Sequence, residues 1–169
     1  MRRRTLLQLG IGSAIALTLV GGGMALLQPA LDPDGRMSAG ARAVMHGVAR
    51  GVLDGVLPAE RGALHEALAA HLDRLDETLA AFPRATRDEL SQLLALLATA
   101  PGRIGLAGLR SAWEVASIDA IQDALLGMRT SSLALRQQAY HALRDLTNAA
   151  WFAHPNAWAA LGYDGPVSV

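Results

Sequence analysis

Between Pro58 and Pro83 the chain carries Leu64, Leu68, Leu72, Leu75, Leu79 and Phe82 at intervals of three and four, with Glu66, Asp73, Arg74 and Glu77 between them. That spacing lines the apolar side chains along one side of an α-helix, and such a stripe has to be buried against further helices. The prolines set the ends, because proline lacks a backbone donor and its ring obstructs the preceding turn. The pattern recurs on both sides. Ser38 stands where an N-cap belongs, ahead of Met45, Val48, Val52 and Val56, a run that Pro58 stops. Thr86-Arg87-Asp88-Glu89 has the form of a capping box before Leu90, Leu93, Leu94 and Leu97. Ala100 to Gly108, with Pro101, Gly102 and Gly105, reads as a loop, and Leu109 to Val115 as a short helix around Trp113. Ser117 caps a helix with Ile118, Ile121, Leu125 and Met128, and a last long helix from about Ser132 to Phe152 turns Leu135, Ala139, Leu143, Leu146 and Ala150 to one side. The expected fold is all-α: a single bundle of five or six helices with an aromatic C-terminal tail, preceded by an export signal.

The opening residues, MRRRTLLQLGIGSAIALTLVGGG, allow two readings of Leu9-Gly10-Ile11-Gly12-Ser13-Ala14. As a nucleotide-binding turn it would need a strand before it, a helix after it and an acid about 20 residues on, where Asp32 and Asp34 stand. Against this, arginines sit directly before the supposed strand, Gly21-Gly22-Gly23 breaks the supposed helix, and no series of strands follows. A basic head, an uncharged apolar stretch and a small-residue exit describe an export signal instead. Arg3 and Arg4, one intervening residue, then Leu6 and Leu7 resemble the twin-arginine signal, whose route carries folded cargo. Arg2 replaces the polar residue common before that pair, and an ordinary secretory signal with surplus arginines is the alternative. Gly23-Met24-Ala25 offers a small-x-small site with cleavage after Ala25. No charge occurs between Arg4 and Asp32, so an uncut segment is long enough to span a bilayer as an inner-membrane anchor. The chain thus divides into residues 1–30 (signal or anchor), 31–37 (hinge, at the end of a Gly/Pro/Asp-rich stretch from Gly21 to Gly35) and 38–169 (helical domain). The expected location is the periplasm.

What remains after the leader is one ordinary domain, large enough to bury a core. Cysteine is absent, which removes disulfides, thiolate metal sites and cysteine nucleophiles, so stability outside the cytoplasm rests on packing. All fifteen basic residues are arginine, and without Arg2 to Arg4 twelve stand against fifteen acids, a formal charge of −3. There is no lysine for a Schiff base or a phosphate loop, and no positive excess for nucleic acid.

Catalytic constellations are not legible. His65 and His71 are six residues apart and fall on different sides of their helix, no His-Glu-x-x-His or Glu-x-x-His motif occurs, and His46, His141 and His154 are isolated, each reading as a surface or capping histidine. No Gly-x-Ser-x-Gly elbow is present. Asp76 and Glu77 follow Asp73 on one side of the second helix, beside Arg74, and read as a solvated face. No catalytic, cofactor-binding or metal-ligating residue is assigned.

Four of the seven aromatic residues, Trp151, Phe152, Trp158 and Tyr163, lie near the C-terminus around Pro155. They either seal the bundle's own core or serve as anchors for a partner, and all four are the candidate partner-binding residues. Together with the leader, the early helix with Gly51-Val52-Leu53-Asp54-Gly55-Val56-Leu57-Pro58-Ala59-Glu60 and the ending Ala157-Trp158-Ala159-Ala160-Leu161-Gly162-Tyr163-Asp164-Gly165-Pro166 resemble the gluconate 2-dehydrogenase subunit 3 family. The likeness spans most of the chain after the leader, although the spacer between the second and last helices does not obviously match.

The resemblance implies a small helical accessory subunit with no cofactor of its own. Its partners would be a large FAD-containing dehydrogenase of the glucose-methanol-choline type, commonly a cytochrome c subunit, and the twin-arginine translocase, with membrane association through the leader or the complex. The competing expectations are a periplasmic small-ligand or metal-binding protein or enzyme with a site between helices, using His65, His71 or His141, and a membrane-anchored adaptor with an uncut leader.

Overall fold

The structure, a computed structural model, describes residues 28–154. Arg3, Arg4, Leu6 and Leu7, expected as an export signal, and the tail residues Trp158 and Tyr163 lie outside the described residues. The protein is an all-α bundle: α1 (Ala39–Val52), α2 (Arg61–Ala80), α3 (Arg84–Ala98), the single turn α4 (Ala100–Gly102), a π turn (Arg103–Ala107), α5 (Ile118–Arg129) and α6 (Ala134–Phe152).

The central helix is α1, which touches α2, α3, α5 and α6. Its sequence explains the position. Ala41, Val44, Met45, Gly47, Val48, Ala49 and Gly51 are all buried, which is apolar on more than one side, the mark of a helix surrounded by others. A Cβ on Gly47 would stand 3.0 Å from the ring of Trp113, and one on Gly51 would stand 2.6 Å from Ile121 Cγ2, so both glycines let neighbours approach the α1 backbone. Ser38 caps α1 as expected, its hydroxyl accepting from the Ala41 N–H. The helix ends at Val52, six residues before Pro58. Gly55 is the cause: it takes φ +85°, which glycine adopts without strain, and the Val56 and Leu57 N–H groups turn back to the Leu53 carbonyl.

Helix α2 begins behind Glu60, whose carboxylate accepts from the N–H groups of Gly62 and Ala63 at 2.8 and 2.7 Å. Those two bonds hold the Glu60 carboxyl below its ordinary range. The expected stripe is buried at Leu68, Leu72, Leu75 and Leu79, while Leu64 and Phe82 are half-buried. The capping box at Thr86 does not form. Pro83 is itself the N-cap, its carbonyl receiving the Arg87 N–H at 3.0 Å, and Thr86 falls inside the first turn. Proline is tolerated there because it lacks only an N–H that the helix does not use.

Two segments after α3 differ from expectation. Ala100 to Ala107 is not a loop: Thr99 caps α4 through the Gly102 N–H, and the chain bends by 93° from α3 into the π turn. Leu109 to Val115 is not a helix but an irregular segment fixed by Trp113, which is buried and donates its indole N–H to the Leu97 carbonyl at 2.9 Å. That carbonyl belongs to the last turn of α3, where the helix has no partner of its own to offer. A bulky side chain thus bridges α1 and the end of α3.

Most buried side chains form one core, and a second, smaller cluster comprises Ala49, Leu53, Leu68 and Trp151. The segment 31–37, expected as a hinge, is tied to the domain at both ends: Leu31 and Met37 are buried and form an isolated bridge. Between them Gly35 turns at φ +88°, its Cα so close to α2 that a Cβ would stand 2.8 Å from the Ala80 Cα. No single helix among the described residues is long and apolar enough to cross a membrane.

Candidate functional site

Two regions hold polar groups that the packing alone does not require. The first joins residues 30–37 to α1, α2 and α3. Ser91, on α3, accepts from the N–H groups of Ala30 and Leu31 at 3.0 and 3.1 Å. Asp76, on α2, accepts from the Met37 N–H at 2.8 Å with one carboxylate oxygen and from Arg42 of α1 with the other. Arg42 also reaches Asp73 at 2.8 Å, and Arg87 donates to the Pro33 carbonyl at 3.0 Å. The acids of α2 are therefore not simply a solvated face, since Asp76 is spent on holding α1 and the incoming chain together. A groove of about 580 Å³ runs beside this clamp, lined by Pro29, Leu31, Arg84, Arg87, Asp88 and Gln92.

The second region is the small cluster at the C-terminal end of α6. Trp151 is only 9 % exposed and packs with Ala49, Leu53 and Leu68. Its ring stands edge-on to His71, with centroids 5.7 Å apart and planes at 66°, and the Arg74 guanidinium carbon lies 5.7 Å from the ring centroid. Its neighbour Phe152 is half-buried. The expected anchor surface of Trp151 is thus largely used inside the domain. Helical spacing explains the meeting: His71, Leu68 and Leu75 share a side of α2 that α6 covers.

His71 is fully buried, and neither ring nitrogen has a hydrogen-bond partner among the described residues. Burial, and secondarily the charge of Arg74, push its pKa down to about 4, so the ring is neutral near pH 7. Burial also lowers the Arg74 pKa, against the opposing influence of Glu77 and Asp73, and its Nε is buried without a partner among the described residues. The neutral imidazole is thus enclosed between α2 and the Trp151 indole, away from solvent.

The other histidines are placed differently. His65 and His141 are exposed, the latter edge-on to Tyr140 at 5.2 Å. His46 is half-buried rather than on the surface, its pKa lowered by burial first and then by Arg50, with Glu114 opposing and His65 adding to the lowering. Among the described residues no three His, Asp or Glu side chains form a group able to hold a metal ion, so His65, His71 and His141 are not brought together as one.

Sequence reasoning missed Ser91, Asp76 and Arg42. Ser91 carried a signal, a hydroxyl set between Leu90 and Leu93-Leu94 on an otherwise apolar side. Asp76 carried none, because its partners are 34 and 39 residues away. No protein-family model matches the chain, and neither a curated protein nor a solved structure shows significant similarity to it.

Proposed function

We propose that the chain is a non-catalytic exported subunit: its twin-arginine leader carries across the membrane a folded protein held by the helical domain. The observation that carries this reading is the clamp at the leader's exit. Ser91 binds the backbone at Ala30 and Leu31 and Asp76 binds it at Met37, so the leader is joined to a fixed point of a packed domain rather than to a free tether. Force on the leader is then transmitted to the bundle and to whatever is docked on it. A route for folded cargo suits such an arrangement.

The resemblance to gluconate 2-dehydrogenase subunit 3 names the cargo: an FAD-containing dehydrogenase of the glucose-methanol-choline type, with the cytochrome c subunit as a further partner. Trp158 and Tyr163 are the proposed anchors, beginning where Trp151 pins the end of α6 to α2. Co-expression with a leaderless dehydrogenase subunit of that type tests the reading. With Arg3 and Arg4 both changed to Lys, that subunit should stay in the cytoplasm in association with this chain. Its normal export in that background overturns the carrier function.

A further inference from the structure

Three large aliphatic side chains, Ile104, Leu126 and Leu133, are 48 %, 48 % and 62 % exposed. They stand on three elements that meet at Arg136. The Arg136 Nε donates to the Leu106 carbonyl of the π turn at 2.8 Å, and its backbone N–H donates to the Leu133 carbonyl at 3.0 Å. Its guanidinium lies 3.7 Å from where a Cβ on Gly127 of α5 would be. Leu126 adjoins Gly127, and Ile104 lies two residues before Leu106. Single exposed leucines need no explanation, but several on converging elements mark a contact surface.

The segments that carry these residues are rich in arginine. From Leu90 to Trp113 and from Ala124 to Arg144 the sequence contains no acid, while the same stretches carry Arg103, Arg110, Arg129, Arg136 and Arg144. The acids beside these stretches are Asp119 and Asp123 of α5, the latter one turn before Leu126, and Asp145, which pairs with Arg144. Arg103, Arg129 and Arg136 form no ion pair among the described residues. Arg103 and Arg136 are held by main-chain carbonyls, those of Leu109, Arg110 and Leu106, so their charge is positioned rather than neutralised. A domain with a negative formal charge therefore concentrates cations and exposed aliphatic groups at one place.

We propose that this corner rests on an anionic lipid surface, with Ile104, Leu126 and Leu133 entering the headgroup layer and Arg103, Arg129 and Arg136 paired with lipid phosphate. Aliphatic tips on turns and helix ends, flanked by arginine, suit a headgroup layer. Guanidinium pairs with phosphate through two parallel hydrogen bonds. A protein interface of the same size would concentrate aromatic anchors, and this corner's exposed apolar residues are aliphatic. The contact can be weak if residues 1–30 already hold the chain at a membrane, because the second attachment is then intramolecular. The assignment does not depend on the carrier function.

The chain has no cysteine, so a single introduced one can report locally. An environment-sensitive fluorophore on Leu133→Cys, in the full chain, is compared with one on Glu66→Cys of α2 in vesicles of phosphatidylglycerol or of phosphatidylcholine. The leader is the same in every sample. The probe at 133 should shift to the blue and brighten at least about two-fold on phosphatidylglycerol, as a headgroup-layer position requires. It should respond weakly on phosphatidylcholine, and the probe at 66 should not respond. Adding Ile104→Ser and Arg129→Glu should remove most of the response at 133 with helical content unchanged by circular dichroism. If Leu133→Cys does not fold, Ile104→Cys supplies the same reading from the π turn. Equal responses at 133 and 66, or equal responses on both lipids, overturn the proposal. A probe that stays in water on both lipids also overturns it and leaves the corner to an acidic protein face.

Discussion

The indole of Trp151 stands edge-on to the imidazole of His71, 5.7 Å between centroids, and this contact locks the end of α6 to α2 with an uncharged histidine inside. Its consequence is a pH dependence of defined sign. The His71 pKa falls from 6.5 to about 4 on folding, so below pH 6.5 the unfolded chain takes up a proton that the folded one refuses. Stability is complete above pH 6.5, declines as pH falls towards 4, and loses nothing further from this group below that. At about 1.36 kcal/mol per pKa unit the whole effect is on the order of 3 kcal/mol. Urea denaturation from pH 7 to 4 should show this loss in the wild type. His71→Leu should show a smaller one, and at pH 7 it should be at least as stable, because two unbonded buried nitrogens are removed.

Asp76 holds two partners with one carboxylate, and they respond differently to substitution. Asp76→Asn keeps an oxygen for the Met37 N–H but loses the charge facing Arg42. Because Arg42 and Asp76 are both partly exposed, the lost ion pair costs only about 1 kcal/mol. Asp76→Ala removes both bonds and strands the Met37 N–H, for a total of about 2–3 kcal/mol. Denaturant midpoints at neutral pH should rank wild type, Asn and Ala in that order. Hydrogen exchange at Met37 should accelerate strongly only in the alanine variant.

Five long helices were legible because each carries its own stripe: Leu68, Leu72, Leu75 and Leu79 are enough to specify a buried side without knowing what covers it. The misreadings arise where a distant group decides. Trp113 looks like the centre of a helix until the Leu97 carbonyl and Gly47 are brought beside it. Pro101, Gly102, Gly105 and Gly108 have loop composition, yet Ala100 to Ala107 is helical, held at its start by Thr99 and at its end by Arg136. Asp76 has the surroundings of a surface acid in sequence and those of a clamp in space. His71 shows the same limit, since spacing separated it from His65 but did not reveal that Trp151 would cover it.

Ser91 fixes the backbone at Ala30 and Leu31, so its hydroxyl should control local rather than global opening. Ser91→Ala leaves the N–H groups of Ala30 and Leu31 without their acceptor, a cost of about 1–3 kcal/mol. Asp76 still holds Met37, so the loss is confined to the residues before it. Hydrogen exchange should rise by tenfold or more around residues 30 and 31 while the α1 and α3 amides keep their protection. Limited proteolysis should cut near residue 30 faster than in the wild type. Unchanged exchange there would show that the bridge between Leu31 and Met37 suffices alone.

Gly51 tests how closely α1 and α5 must approach. In a free helix Gly51→Ala would gain about 1 kcal/mol. Here the added Cβ would lie 2.6 Å from Ile121 Cγ2, a branch carbon that cannot swing aside, and overpacking of that kind costs about 1–3 kcal/mol. The clash should win, lowering stability by about 1–2 kcal/mol. Leucine lacks the methyl that isoleucine carries on Cβ, so Ile121→Leu opens the space the alanine needs. Gly51→Ala combined with Ile121→Leu should therefore be more stable than the sum of the two single changes predicts, by at least about 1 kcal/mol in a denaturation-based double-mutant cycle. Additive effects would mean that α1 moves away from α5 to admit the methyl group, and that the close approach at Gly51 is not what positions α5.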